Sequence, residues 1–283
     1  MAIYKSNKKV VAVYKGSTPI NKIYKGGTLV FQKSGGGGST HLFEGTATGN
    51  FNMKVNGNNI PITPDASGKW FYDTDEKITD LRQAFYIVRE VTSVDLSNLD
   101  LSGITTSAMF RASSNITSIK FNNTKSMELV ALQGMFLGCK LLTSLNLSSF
   151  DTSNVKNASS LFSGCSSLVS LDLSNWNTSS LTSANSLFQN CSSLVSLDLS
   201  SFDTSKVTSA NYLFSGCSAL VSLDLSNFNL FKITSSSYYR DMFKDCTSLS
   251  TIKCKQAFKD WCISKNTAIG LTNYATINWE IVE

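Results

Sequence analysis

Seven phenylalanines set the frame of this chain. Phe85, Phe110, Phe136, Phe162, Phe188, Phe214 and Phe243 follow one another at intervals of 25, then 26 four times, then 29 residues. A fixed period in this range marks an array of units that stack, because one unit alone cannot bury its apolar face. Counting from each phenylalanine gives the physics of the unit. Nine residues on lie Val94, Ile119, Leu145, Leu171, Leu197, Leu223 and Ile252, and eleven on lie Leu96, Phe121, Leu147, Leu173, Leu199, Leu225 and Cys254. Positions two apart share one face of a strand. Stacked at about 4.8 Å, they predict a parallel sheet with an apolar inner face. The stretches before the phenylalanine, such as NASSLF and TSANSLF, predict a short helix or helical turn with Ser or Thr as its cap. The expected fold class is α/β, a solenoid of parallel strand plus short helix per repeat.

Three positions after each phenylalanine stand Val88, Ser113, Cys139, Cys165, Cys191, Cys217 and Cys246. A slot filled by Val, Ser and Cys wants a small, mostly apolar side chain, and free cysteine behaves as one. Zinc needs clustered ligands at short spacing. The chain has no C-x-x-C pair and one histidine, His41. We therefore expect buried thiols, no metal and no cofactor. The lone histidine also removes most imidazole-based catalysis.

The outward strand positions are polar. Ser170, Asp172 and Ser174 recur as Ser196, Asp198 and Ser200, and again as Ser222 and Asp224. Carboxylates stacked at one strand spacing repel one another and call for a cation, a hydroxyl neighbour or a ligand bearing donors. Two readings stay open, a solvated face whose serines satisfy the aspartates and a ladder for sugar hydroxyls or a protein. Glycoside hydrolysis ranks last, since it needs an acid and a base in contrasting surroundings and a repeat supplies neither. The last interval is three residues longer than its neighbours, within SSSYYRDM, so Tyr238, Tyr239 and Arg240 are further binding candidates. Insertions in such arrays fall in loops.

Ahead of the repeats the composition changes. Residues 1–33 carry Lys5, Lys8, Lys9, Lys15, Lys22, Lys25 and Lys33 and no acidic residue. Within them Ile3-Tyr4-Lys5, Val13-Tyr14-Lys15 and Ile23-Tyr24-Lys25 return every ten residues, which predicts a small three-stranded meander. A sheet of that size is barely stable by itself, which favours docking on a partner. Tyr4, Tyr14, Tyr24, Lys15 and Lys25 are its anchor candidates. Residues 34–41 open with SGGGGST, a flexible tether by composition. Residues 42–84 read as an N-terminal cap, 85–254 as the repeats and 255–283 as a C-terminal cap of helix and strand. MAIYKSNKKVVAVYKG lacks the apolar core of a secretory signal, and no run is long enough to span a membrane. The net charge of +5 is too mild to imply nucleic acid.

The pattern L-x-x-L-x-L-S-x-F-D-T-S-x-V-T-x-A-x-x-L-F-x-G-C-x-x-L over about residues 85–254 resembles the BspA-like leucine-rich repeat in its 26-residue, FDTS-containing form. The family's usual methionine before the phenylalanine persists as Met109, Met135 and Met242 and is replaced by Leu161, Leu187 and Leu213. VAVYKGSTPINKIYKGGTLVF resembles the short leader of virion structural and tail proteins of phages that infect gut Bacteroidetes. These resemblances imply a non-enzymatic virion protein, made in the host cytoplasm. Residues 1–33 would bind another virion protein, and the repeats would meet a host-surface glycan or protein. Neither nucleic acid nor membrane insertion is expected, and self-association stays open. The rival readings are a bacterial cell-surface adhesin of the same repeat family and, last, a carbohydrate-active enzyme.

Overall fold

The structure is a computed structural model. It describes residues 41–283 except 75, 123–125 and 130, and before residue 41 only the backbone of the strands. Those early strands are β1 (Ala2–Ser6), β2 (Lys9–Lys15), β3 (Thr18–Pro19), β4 (Lys22–Lys25) and β5 (Thr28–Gln32). They make two small sheets where the sequence predicts one meander. β1, β2 and β3 pair antiparallel, with Ile3 opposite Val13 and Tyr14 opposite Pro19. β4 and β5 form a separate hairpin, Ile23 opposite Phe31. Pro19 has no N–H to offer a further strand, so the first ladder stops there. The side chains of Tyr4, Tyr14, Tyr24, Lys15 and Lys25 lie outside the described residues.

β6 (Phe43–Ala47), β7 (Phe51–Val55), β8 (Asn58–Ile62) and β9 (Lys69–Tyr72) precede the repeats. β7 and β8 form a hairpin closed by Asn56 and Gly57, both at positive φ (50° and 79°), the turn whose twist suits two paired strands. β6 lies between β9 and β10 (Val91–Leu96), antiparallel to both. That contact needs Gly45, because a Cβ there would lie 1.9 Å from the Ser93 carbonyl oxygen. Phe43, Met53 and Trp70 are buried beneath it. His41, which the sequence assigns to the linker, is fixed here. Its Nδ1 lies 2.6 Å from Asp73 and its ring stacks on Phe71 at 4.2 Å.

The repeats follow in register. Strand pieces β11 (Ser118–Phe121), β12 (Met127–Glu128), β13 (Phe150–Asp151), β14 (Ser196–Asp198), β15 (Ser222–Leu225) and β16 (Thr251–Lys255) lie in parallel pairings. Leu197 sits beside Leu223 and Leu223 beside Ile252. The seven phenylalanine rings form one column, each 5.2 to 5.8 Å from the next and within 19° of parallel. All seven are buried, and each aromatic contact adds about 0.5–1.5 kcal/mol beyond the area it buries.

Of the short helix or helical turn expected before each phenylalanine, the described residues form turns and no α-helix, and the reason is a division of labour among backbone donors. Ser160, Phe162 and Gly164 give their N–H groups to the next repeat, to Asn185, Leu187 and Gln189 carbonyls at 2.8, 3.0 and 2.7 Å. The alternate residues Leu161, Ser163 and Cys165 bond back within their own turn, to Ala158, Ser160 and Phe162. An α-helix would need every one of these donors internally. Left-handed residues flank the phenylalanine to turn the chain, Ser160 (φ 57°) and Gly164 (φ 72°) here. The same two places are left-handed in every repeat, from Gln83 and Ile87 to Asp241 and Asp245.

The stack closes on α1 (Gln256–Ile269) and β17 (Asn278–Val282). β17 continues the parallel sheet beside β16, with Trp279 next to Ile252. Phe258, Cys262 and Ile269 of α1 are buried, and Phe258 meets the Phe228 ring edge-on at 5.8 Å. The carbonyls of Ala268 and Ile269, at the helix C-terminus, accept the N–H groups of Asp241 and Phe243 at 2.8 Å each. At the other end, the N–H groups of Lys54 in β7 and of neighbouring Asn56 donate to the Ala84 and Asp80 carbonyls at 3.0 and 2.8 Å. Among the described residues the molecule is mixed α/β, mostly strand with one α-helix and no closed barrel.

Candidate functional site

The parallel register brings the serine and aspartate candidates onto one face. Ser196 lies beside Ser222 and Asp198 beside Asp224, with Thr251 and Lys253 next in line. Each aspartate then does the same local job. Its Oδ1 accepts the backbone N–H two residues on: Ser174 at 3.0 Å for Asp172, Ser200 at 2.9 Å for Asp198, Ser226 at 3.0 Å for Asp224. The Ser174 hydroxyl adds a bond to Asp172 at 2.7 Å, and Ser226 bonds Asp224 likewise. This self-bonded turn leads the chain out of the strand. Asn146 makes it too, accepting from Ser148 at 3.1 Å, so this turn needs a side-chain carbonyl oxygen and no charge, while Lys120 and Lys253 hold the same position without it.

The charges divide by position. Asp95 takes the Lys120 ammonium at 3.1 Å and Asp224 that of Lys253 at 2.8 Å. Burial pushes the Asp224 carboxyl up, but bonds from Lys253 and Ser226 outweigh it and hold it below the usual carboxylate value. Asp172 is lowered by the Ser174 N–H and then by its hydroxyl. Among the described residues Asp172 and Asp198 join no ion pair.

The longer last interval behaves differently from its expectation. Tyr239 is buried, its ring edge-on to Trp261 at 5.4 Å, and is no surface contact. An aromatic beside an insertion is pulled inward when a capping helix supplies a partner ring. Tyr238 is exposed, and the Arg240 guanidinium sits over Tyr212 at 5.1 Å. Tyr212 escaped the sequence reading. Its signal is that it fills a position held by Ala108, Gly134, Ser160 and Ser186 elsewhere, so a large ring there must lie on the surface.

All seven cysteines are free and buried. The column of five also donates: Cys139, Cys165, Cys191, Cys217 and Cys246 give their S–H to the phenylalanine carbonyl of the preceding repeat, at 3.0 to 3.2 Å. Ser113 does the same to the Phe85 carbonyl. The slot therefore selects a small donor, which sharpens the expectation of a small apolar group. Burial pushes the Cys139 thiol up to about 12, and it pushes the Cys165 and Cys191 thiols well above the ordinary value. A nucleophilic cysteine requires the opposite shift.

Among the described residues no group of three or more His, Cys, Asp or Glu side chains is placed to hold a metal ion, and no helix is long and apolar enough to cross a membrane. Small slots between repeats are lined mainly by apolar side chains such as Leu187 and Phe202. A family model described as a Mycoplasma protein of unknown function, DUF285, matches residues 79–197 and again 169–272. No curated protein matches the chain.

Proposed function

Because the chain belongs to the DUF285 family of BspA-like repeat proteins, we propose that it is a leucine-rich-repeat solenoid that recognises a host surface on behalf of a phage particle. Residues 1–33 anchor it to another virion protein, the glycine-rich tether separates anchor from repeats, and the repeats present the recognition face. The observation that carries this reading is the sameness of that face. Ser-Asp-Ser units recur from repeat to repeat with equivalent bonds, which suits a surface that grips by repetition. It gives no acid and base in contrasting environments, so the protein is read as a binder and not an enzyme.

Immunogold labelling of purified virions with an antibody to residues 85–254 tests the assignment. Label on the particle is expected, and its loss on deleting residues 1–33 assigns the anchor. Unlabelled particles overturn the reading. A second reading, a bacterial cell-surface adhesin, is favoured by the family description, which names a bacterium. Label on phage-free cells would support it. Asp198→Asn addresses the enzymatic alternative, which requires glycan turnover that this substitution abolishes.

A further inference from the structure

An apolar ridge runs along the outward face of the stack. Val169, Val195 and Val221 hold the same place in consecutive repeats and are 52%, 46% and 42% exposed. Backbone bonds join them, Val195 N–H to the Val169 carbonyl at 3.4 Å and Val221 N–H to the Val195 carbonyl at 2.8 Å. Three residues further along each repeat lie Asp172, Asp198 and Asp224, and Asp172 and Asp198 are exposed as the valines are. Asp224 already holds the Lys253 ammonium, as Asp95 holds that of Lys120. The molecule thus shows twice what complements a carboxylate of this column: a lysine presented from alongside. Asp172 and Asp198 join no ion pair among the described residues, although the Lys253 ammonium held by Asp224 also lies within electrostatic reach of Asp198.

We propose that this face docks an extended, lysine-bearing polypeptide. Its apolar side chains cover the valine ridge, and its ammonium groups meet Asp172 and Asp198 as Lys120 and Lys253 meet the aspartates at either end. The inference rests on the recognition reading above and narrows the partner to a basic protein segment. Charge complementarity selects it, and an aliphatic ridge gives a sugar ring no aromatic face to stack on.

The fold supplies its own controls. Thr143 and Ser250 occupy the valine position in other repeats, and Asn146 occupies the aspartate position. The paired variants V195T/V221T and D172N/D198N therefore introduce residues of kinds the stack already accepts. Titrate the full chain with a synthetic peptide of alternating lysine and valine, and with its glutamate-for-lysine counterpart. The lysine peptide is expected to bind and the glutamate peptide not to. Each paired variant should weaken binding about tenfold, and raising salt from about 0.05 to 0.5 M should weaken it further. Equal binding of the two peptides, no binding, or binding unmoved by both variants overturns the proposal. A chain that labels virions and still binds a host envelope fraction unchanged in both variants keeps the recognition reading and sinks this one. Variant-sensitive peptide binding by a chain absent from virions does the reverse.

Discussion

Replacing Cys191 with serine is expected to leave the stack nearly as stable as before, because Ser113 already fills the equivalent slot and donates to the Phe85 carbonyl. Cys191→Ala removes the donor to Phe162 and should cost about 1 kcal/mol in urea unfolding. Cys191→Leu forces extra methylenes into a filled wall and should cost more, about 1–3 kcal/mol. The order Ser, Ala, Leu is the check; a column that is only filler would rank Ala above Ser. Phe188→Ala, between two stacked rings at 5.8 Å, should cost about 3–5 kcal/mol. The sequence made the column visible, since a slot shared by Val, Ser and Cys reads as a place for one small packed side chain. It could not show the donor role, because the acceptor is a backbone carbonyl one repeat away, about which residue identity carries no information.

Repeated elements obey a backbone rule that residue patterns only hint at. Gly164 sits at φ 72°, where a β-branched residue is strained by about 1–2 kcal/mol. Gly164→Val should lower the unfolding midpoint clearly, while Ser160→Gly at φ 57° should be neutral or mildly stabilising. Equal effects at the two sites would refute the left-handed assignment. Gly45→Ala puts a Cβ against the Ser93 carbonyl and should loosen β6 from β10, read out as faster hydrogen exchange in β6 and β9. The strands were legible from the spacing of Leu197 and Leu199. The helix expected over NASSLF was not, since Ala, Ser and Leu suit a helix locally. What overrides that preference is the next repeat, which takes every second N–H. Tyr239 was misplaced for a related reason: only the packed helix α1 shows that Trp261 waits for it.

The molecule as a whole should tolerate change in units of its period. Deleting residues 163–188, one full repeat, should leave a shorter folded chain of lower stability, because each repeat contacts mainly its neighbours. Deleting 13 residues, half that length, should abolish cooperative unfolding. Stability should also depend on pH at both extremes. The Cys139 thiol ionises near 9 when unfolded and about 12 when folded. Its contribution is therefore complete below about pH 9 and is lost as pH rises toward 12. The carboxyls of Asp172, Asp203 and Asp224 are lowered by folding, so their contribution is present above the ordinary value of 3.8 and fades as pH falls below it. Chemical denaturation from pH 3 to 11 should show a plateau between these limits; a maximum near the pI of 8.7 would contradict the assignment.

The row of N–H groups that leaves each phenylalanine turn for the next repeat has a direction. It begins where donors near β7 meet the Asp80 and Ala84 carbonyls and ends where Asp241 and Phe243 give their hydrogens to the free carbonyls of α1. That row is thus an arrow with an electron-rich tail and an electron-poor head, and along it the two covers are opposite electrical plugs. A helix C-terminus, which carries surplus acceptors, fits only the head. Exchanging the covers would set donor against donor and acceptor against acceptor. Growth of such a protein over evolutionary time is then confined to the shaft, by insertion of whole repeats between covers that must each keep their own end.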